Sequence, residues 1–172
     1  MLESGCRPTH IAGIWRGGTP VGIAVQELLE YCGVPTDHIA IRTSAYSGID
    51  SPAEQVRVHG LGYLVRNLDA EDTLLIVDDV YDSGRSIRQV IEELRQRCRR
   101  NTPGIHIATV YRKPANAAPP GVPHHFLHDT DRWLVFPHEL AGLALEELLA
   151  NKPGFAAIGP RIARRRESSG AR

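Results

Sequence analysis

The run Thr73-Leu74-Leu75-Ile76-Val77, which ends abruptly in Asp78-Asp79, constrains this chain more than any other stretch. An unbroken aliphatic run with β-branched Ile76 and Val77 suits a strand covered on both faces, as the inner strands of a parallel sheet are. Two acids closing such a strand stand at the carboxyl edge of the sheet, where α/β proteins hold their ligands. After Val80-Tyr81-Asp82-Ser83-Gly84-Arg85 the spacing predicts a helix from about Ser86. Ile87, Val90, Ile91, Leu94 and Cys98 mark its inner face, and Ser86-x-x-Gln89 resembles a capping box. Each half of the segment has its own chemistry. The amides and hydroxyls of Ser83 to Ser86 suit a phosphate at the positive end of the helix, with Gly84 permitting close approach. Asp78 and Asp79 suit the vicinal hydroxyls of a sugar, because carboxylates repel phosphate directly. Together they point to a sugar phosphate; the plainer alternative is that the two acids only cap the sheet edge and turn the chain.

The same order of strand, loop and helix occurs earlier. His10 to Trp15 reads as a buried strand leading into Arg16-Gly17-Gly18-Thr19-Pro20. A helix follows, with Thr19 as N-cap and Pro20 as first helical residue. Val21, Val25, Leu28, Leu29 and Cys32 form its apolar face before Gly33 and Pro35 stop it. His38 to Thr43, Leu61 to Val65 and Ile105 to Tyr111 read as strands, and Phe126-Leu127 and Trp133 to Phe136 as shorter ones. Ser44 to Gly60 is polar and lacks an apolar period, so it is either a functional lid or a disordered insertion. Leu140, Leu143, Ala144 and Leu148 mark a terminal helix. Asn151 to Arg172, with the basic run Arg164-Arg165-Arg166, is expected to be a largely disordered tail with solvated arginines. The alternation predicts an α/β fold with a mostly parallel central sheet flanked by helices.

Composition narrows the function classes. At 172 residues the chain fits one domain, and 20 basic against 20 acidic residues leave no global field for nucleic acid or an anionic membrane. Cys6, Cys32 and Cys98 form neither a disulfide framework nor a CxxC metal knuckle, which points to a reducing cytosol. There is no long apolar run and no basic and apolar leader, so the expectation is a cytoplasmic protein without a membrane span. Gly60-Leu61-Gly62 lacks the third glycine of a dinucleotide fingerprint, and no GxxxxGK[ST] is present. His124-His125-x-x-His128 is a candidate structural metal site. As strand neighbours, however, His124 and His125 point to opposite faces, and no cysteine or carboxylate completes the set convincingly.

The segment Leu74 to Ser86 resembles the phosphoribosyl pyrophosphate (PRPP) signature of the type I phosphoribosyltransferases, with serine for the more common threonine at Ser83 and Ser86. Ile14-Trp15-Arg16-Gly17-Gly18-Thr19-Pro20 resembles that family's pyrophosphate loop, which often carries a non-proline cis peptide. Tyr111-Arg112-Lys113-Pro114 and Asp131-Arg132-Trp133-Leu134-Val135-Phe136-Pro137 resemble the purine pocket of its 6-oxopurine branch, the hypoxanthine and xanthine-guanine enzymes. The motifs run in the family's order over residues 10 to 140. Members begin with a helix ahead of the first core strand, whereas that strand starts here at His10, which raises the expectation of a missing N-terminal segment.

The resemblance implies a phosphoribosyltransferase domain over residues 1–150, with a small hood at 112–140, a flexible lid at 44–60 and the tail at 151–172. It implies Mg²⁺-dependent transfer of ribose 5-phosphate from PRPP to N9 of a 6-oxopurine (hypoxanthine, xanthine or guanine), with release of pyrophosphate. Asp82 would be the catalytic base or acceptor at N7, and Asp78, Asp79, Asp82, Ser83, Gly84, Arg85 and Ser86 would bind PRPP. Arg16, Gly17 and Gly18 would cradle pyrophosphate, and Lys113, Trp133 and Leu134 would bind the base. Trp133 on its own also fits a core aromatic. Mg²⁺ would be held mainly through PRPP with Asp78 and Asp79, and Glu139 is a possible further metal contact. The family also implies a homodimer or homotetramer. Two alternatives stand beside this reading: a PRPP- or nucleotide-sensing regulator on the same fold, and a pyrimidine-specific transferase, which should lack the pairing of Lys113 with Trp133.

Overall fold

In the computed structural model, which describes residues 1–46, 55–116, 122–140, 142–152 and 154–169, Leu74, Leu75, Ile76 and Val77 have no solvent exposure. They lie in β4 (Thr73–Tyr81) at the centre of the sheet. β4 pairs in parallel with β1 (His10–Trp15), and β1 with β2 (Asp37–Tyr46). On the other side β5 (Gly104–Arg112) and then β6 (His125–Asp129) follow, also in parallel. β3 (Gln55–His59) closes the β2 edge as the antiparallel member, giving the order β3-β2-β1-β4-β5-β6. Helix α1 (Gly18–Tyr31) links β1 to β2, and α3 (Arg85–Cys98) links β4 to β5. Parallel neighbours need such crossovers, and the helices cover the faces.

Strand alternation divides the core into two layers. Leu74 and Ile76 pack with Ile14, Ile41, Ile107 and the inner face of α3, namely Ile87, Val90, Leu94 and Cys98. Leu75 and Val77 face the other way, onto Ile11 and the α1 residues Leu29, Val21 and Val25. Burial of each aliphatic is worth roughly 1.5–3 kcal/mol relative to exposure.

Several expectations are corrected. The strand does not stop at the acids: Asp78, Val80 and Tyr81 stay in register with Thr109, Tyr111 and Arg112 of β5, whose ladder holds the polar segment extended. Leu61 to Val65 belongs to a helix, α2 (Gly62–Asn67), because Leu61, Leu64 and Leu68 are buried at helical spacing. Helix α1 starts at Gly18 after Gly17, so Thr19 is inside it and caps nothing; Leu28 and Cys32 are exposed. Helix α3 starts at Arg85 after Gly84 and has no side-chain cap, so the Ser86 to Gln89 capping box is absent. Ser44 to Tyr46 and Gln55 to His59 form paired strands instead of an irregular loop, while residues 47–54 of the expected lid lie outside the described residues.

The chain divides into two compact units, Met1–Arg132 and Trp133–Arg172. Trp133 to Phe136 is not a strand. Within the second unit, α4 (Leu145–Asn151) and α5 (Phe155–Ser169) are helices, which corrects both the terminal helix starting near Leu140 and the disordered tail. The tail's order has a packing cause: Phe155 is buried, as is Leu148 of α4, and Gly159 lets Leu149 and the Phe155 ring come close.

Candidate active site

The parallel ladder sets Gly13 of β1 beside Val77 of β4, so the turn after β1 folds over the acids that follow Val77. A Cβ on Gly17 would fall inside the Asp79 carboxylate, and one on Gly18 would run into the Val77 carbonyl. Only glycine permits this approach, and it brings Arg16-Gly17-Gly18 onto Asp78-Asp79, two segments 60 residues apart in sequence. The Trp15-Arg16 peptide is cis, as the resemblance implies for this loop. The Asp78 carboxylate accepts the Asp79 N–H at 3.0 Å, and the Asp79 carboxylate accepts the Val80 N–H at 2.8 Å. Burial pushes the Asp78 carboxyl well above the usual carboxylate range, and the Asp79 charge adds to the rise while the Asp79 N–H opposes it.

Past the acids, Tyr81 is buried at 1% exposure and anchors the end of β4. Gly84 has φ 69° and precedes the first turn of α3; a Cβ there would overlap the Tyr81 ring. The N–H groups of a helix's first turn have no acceptor within the helix. Here residues of that turn help line a cup of about 90 Å³, with Asp78, Asp82, Ser83, Gly84, Arg85 and Ser86 around it. The predicted PRPP-binding residues outside Asp79 therefore share one concavity. Arg88 reaches the Ser83 carbonyl with Nη2 at 3.5 Å, placing a guanidinium at the loop.

Asp82 carries the clearest polar constellation. Lys113 Nζ donates to its Oδ2 at 3.2 Å, and Asn116 Nδ2 donates to Oδ1 at 2.6 Å. The Lys113 side chain is 11% exposed against 49% for Asp82, so the ammonium lies under a carboxylate open to ligand. Lys113 is held there because its N–H donates to the Tyr81 carbonyl at 2.9 Å, continuing the β4 to β5 ladder. Asn116 was missed by sequence reasoning; an amide three residues beyond Lys113 was its only signal. Around it, Arg112 forms a two-pronged pair with Asp129 at 2.8 and 2.9 Å and lies 4.0 Å over the Phe126 ring. Asp131 accepts the Ala115 N–H at 3.2 Å.

Trp133, Leu134 and Glu139 belong to the second unit. Trp133 is 85% exposed, so it is not a core aromatic, and Leu134 is half-buried. Glu139 closes a local turn: its carboxylate accepts the Phe136 N–H at 3.1 Å, and its own N–H donates to the Phe136 carbonyl at 3.0 Å.

Fold and site thus define an α/β protein with a glycine loop, two acids and a phosphate-sized cup gathered at the carboxyl end of a parallel sheet. A family profile for the phosphoribosyl transferase domain matches residues 2–138, and the chain belongs to that family. It has the type I phosphoribosyltransferase fold. A purine phosphoribosyltransferase from Pyrococcus horikoshii is 27% identical with a TM-score of 0.63, the match covering 83% of this chain and 88% of that one. A hypothetical protein from Neisseria gonorrhoeae with bound ppGpp is 19% identical, with a TM-score of 0.59 over 82% and 79% of the two chains. A hypoxanthine phosphoribosyltransferase from Staphylococcus aureus is 18% identical, with a TM-score of 0.55 over 72% and 62%. The last two show the fold alone. Comparison with curated proteins found no match. No helix among the described residues is long and apolar enough to cross a membrane.

Proposed function

We propose that this chain transfers the ribosyl 5-phosphate group of PRPP to N9 of a 6-oxopurine. The bond from the anomeric carbon to N9 forms as its bond to oxygen breaks, and pyrophosphate leaves with the electron pair. One observation carries the reading: the half-open Asp82 carboxylate, held by Lys113 and Asn116, sits at the rim of the cup that begins α3. With the 5-phosphate on the amides and hydroxyls of Ser83 to Ser86 and the ribose hydroxyls on Asp78 and Asp79, the anomeric carbon is fixed for attack. Asp82 accepts the proton at N7 while N9 attacks. Lys113 donates to a 6-oxygen and opposes a 6-amino group, which sets hypoxanthine, xanthine and guanine above adenine. The likeness to the Pyrococcus horikoshii purine enzyme supports a purine acceptor.

Arg16 and the amides of Gly17 and Gly18 cradle the diphosphate beside the acids. The donor set fits Mg²⁺: Asp78 and Asp79 present hard oxygens, and their crowded carboxyls, one driven toward its protonated form, are relieved by a cation. Held by Asp78 and Asp79 together with PRPP, Mg²⁺ would supply neutralisation of the diphosphate charge.

The test is pyrophosphate release from PRPP and Mg²⁺ with hypoxanthine, xanthine, guanine, adenine and uracil in turn. Turnover is expected with a 6-oxopurine, and Asp82→Asn should lower kcat by roughly 10²–10⁴-fold, the usual share of a general base. Saturable PRPP binding without turnover on any base would replace this reading with a PRPP- or nucleotide-binding regulator.

A further inference from the structure

On the β5 and β6 side of the sheet, off the strand that carries the acids, three side chains from distant parts of the first unit converge. Cys6 follows the short 3-10 turn Leu2–Ser4, His106 is the third residue of β5, and His125 opens β6. One ligand atom from each, the Cys6 Sγ and an imidazole nitrogen from each histidine, lies within 4.8 Å of the others. Cys6 is 7% exposed, and the His106 and His125 rings stack at 5.9 Å with 8° between their planes. His106 Nδ1 and His125 Nε2 are both buried with no hydrogen-bond partner among the described residues. A buried polar atom without a partner costs about 1–3 kcal/mol, and two orphaned nitrogens beside a thiol are not explained by packing alone.

We propose that Cys6, His106 and His125 bind a Zn²⁺-class ion. The chemistry separates this site from the Mg²⁺ site: one sulfur and two imidazole nitrogens with no carboxylate suit a borderline-soft cation. Bond lengths of about 2.3 Å to sulfur and 2.0–2.1 Å to nitrogen require the ligands to close inward by roughly 1 Å, with the fourth position left to water. The location separates it as well. His106 is in register with Leu75, three residues before Asp78 and thus about 10 Å down the strand, and His125, level with Val77 through Ala108, stands on β6, two strands away from β4. The neighbouring His124 is committed otherwise: its ring Nδ1 accepts the Ile107 N–H at 3.1 Å, and its backbone N–H donates to the Ile107 carbonyl at 3.0 Å. The metal ties the N-terminal segment to β5 and to the edge strand β6. His124-His125-x-x-His128 is therefore not the ligand set; only His125 contributes, with partners from elsewhere in the chain.

Co²⁺ titration of the full chain under reducing, non-thiol conditions reads the site directly. One equivalent should bind with thiolate-to-cobalt charge-transfer absorption and be displaced by Zn²⁺. Cys6→Ser should abolish that absorption, and His106→Ala or His125→Ala should weaken binding at least about tenfold, the minimum expected when even a supporting residue is lost. Cys32→Ser, an exposed thiol outside the cluster, should leave it unchanged. A second measurement needs no variant: Zn²⁺ should slow alkylation of Cys6 in the unaltered protein at least about tenfold relative to chelator, with Cys32 as internal reference. No saturable binding, binding without the thiolate band, or equal Cys6 alkylation with and without Zn²⁺ would each overturn the proposal.

Discussion

Gly17 and Gly84 show how single residues set this site. Each is a position where a methyl group has no room: Gly17 against the Asp79 carboxylate, Gly84 against the Tyr81 ring with a positive φ besides. The two substitutions should therefore behave differently. Gly84→Ala combines backbone strain with a core collision and should lower stability by about 1–3 kcal/mol, read as a drop in urea midpoint. Gly17→Ala meets a side chain that can swing away, so the fold should hold while Asp79 is displaced. Its kcat/KM for PRPP should fall on the order of 10²-fold, the cost of misplacing a reacting group by about 1 Å. If Gly17→Ala keeps full kcat/KM, the docking of the loop on Asp79 has no part in activity. At this scale most of the candidate site is legible in the sequence: Asp78, Asp79, Asp82 and Ser83 to Ser86 can be singled out because they are contiguous. Asn116 was not, since nothing local marks an amide that reaches back 34 residues to Asp82.

Among the elements, periodicity succeeded where one face was buried and failed where the run was short. The inner face of α3 was read correctly because its period persists over several turns. Leu61 to Val65 was misread because a short run of four hydrophobic residues around Gly62 fits a strand or a buried turn of helix equally well, and the core contacts of Leu64 and Leu68 settle it. The ladder between β5 and β6 carries a pH prediction. The Arg112 hydrogen bond holds the Asp129 carboxyl below its usual range, with the guanidinium charge adding to it and burial opposing. A depressed carboxylate stabilises the fold above its unfolded pKa of about 3.9 and loses that contribution as pH falls through the folded value. The difference in urea midpoint between the unaltered protein and Asp129→Asn should thus be flat from about pH 8 to 5 and shrink below about pH 4. A difference that instead vanishes near pH 7 would mean the pair is not its source. Its size should be small, because both partners touch solvent.

For the whole molecule, ligand binding and folding are one equilibrium. PRPP with Mg²⁺ at about 100 times its Kd should stabilise the native state by about 2.7 kcal/mol, a rise in Tm of about 5–10 °C for a chain of this size. Pyrophosphate alone should give less, since it leaves the cup at α3 empty. Equal shifts from the two would count against a phosphate there. The family profile ends at residue 138, shortly after the boundary at Arg132, and the helices beyond it form a unit with its own packing around Phe155 and Leu148. Glycine, proline and arginine in the tail suggested disorder, because composition registers breakers and charge but not the two apolar side chains that α4 and α5 bury.

The class of fold and the segments of the site were determined by the sequence alone. A strand buried on both faces must be aliphatic throughout, and a phosphate loop needs its glycine and hydroxyls side by side. Tertiary structure decided which segments meet: Gly17 on Asp79, Asn116 on Asp82, and Cys6 with His106 and His125. Those meetings depend on strand order and register, which are set by hydrogen bonds and packing between residues tens of positions apart. The continuation of β4 through Asp78 to Tyr81 has the same origin, since the ladder from β5, and not the polarity of the residues, keeps the backbone extended there.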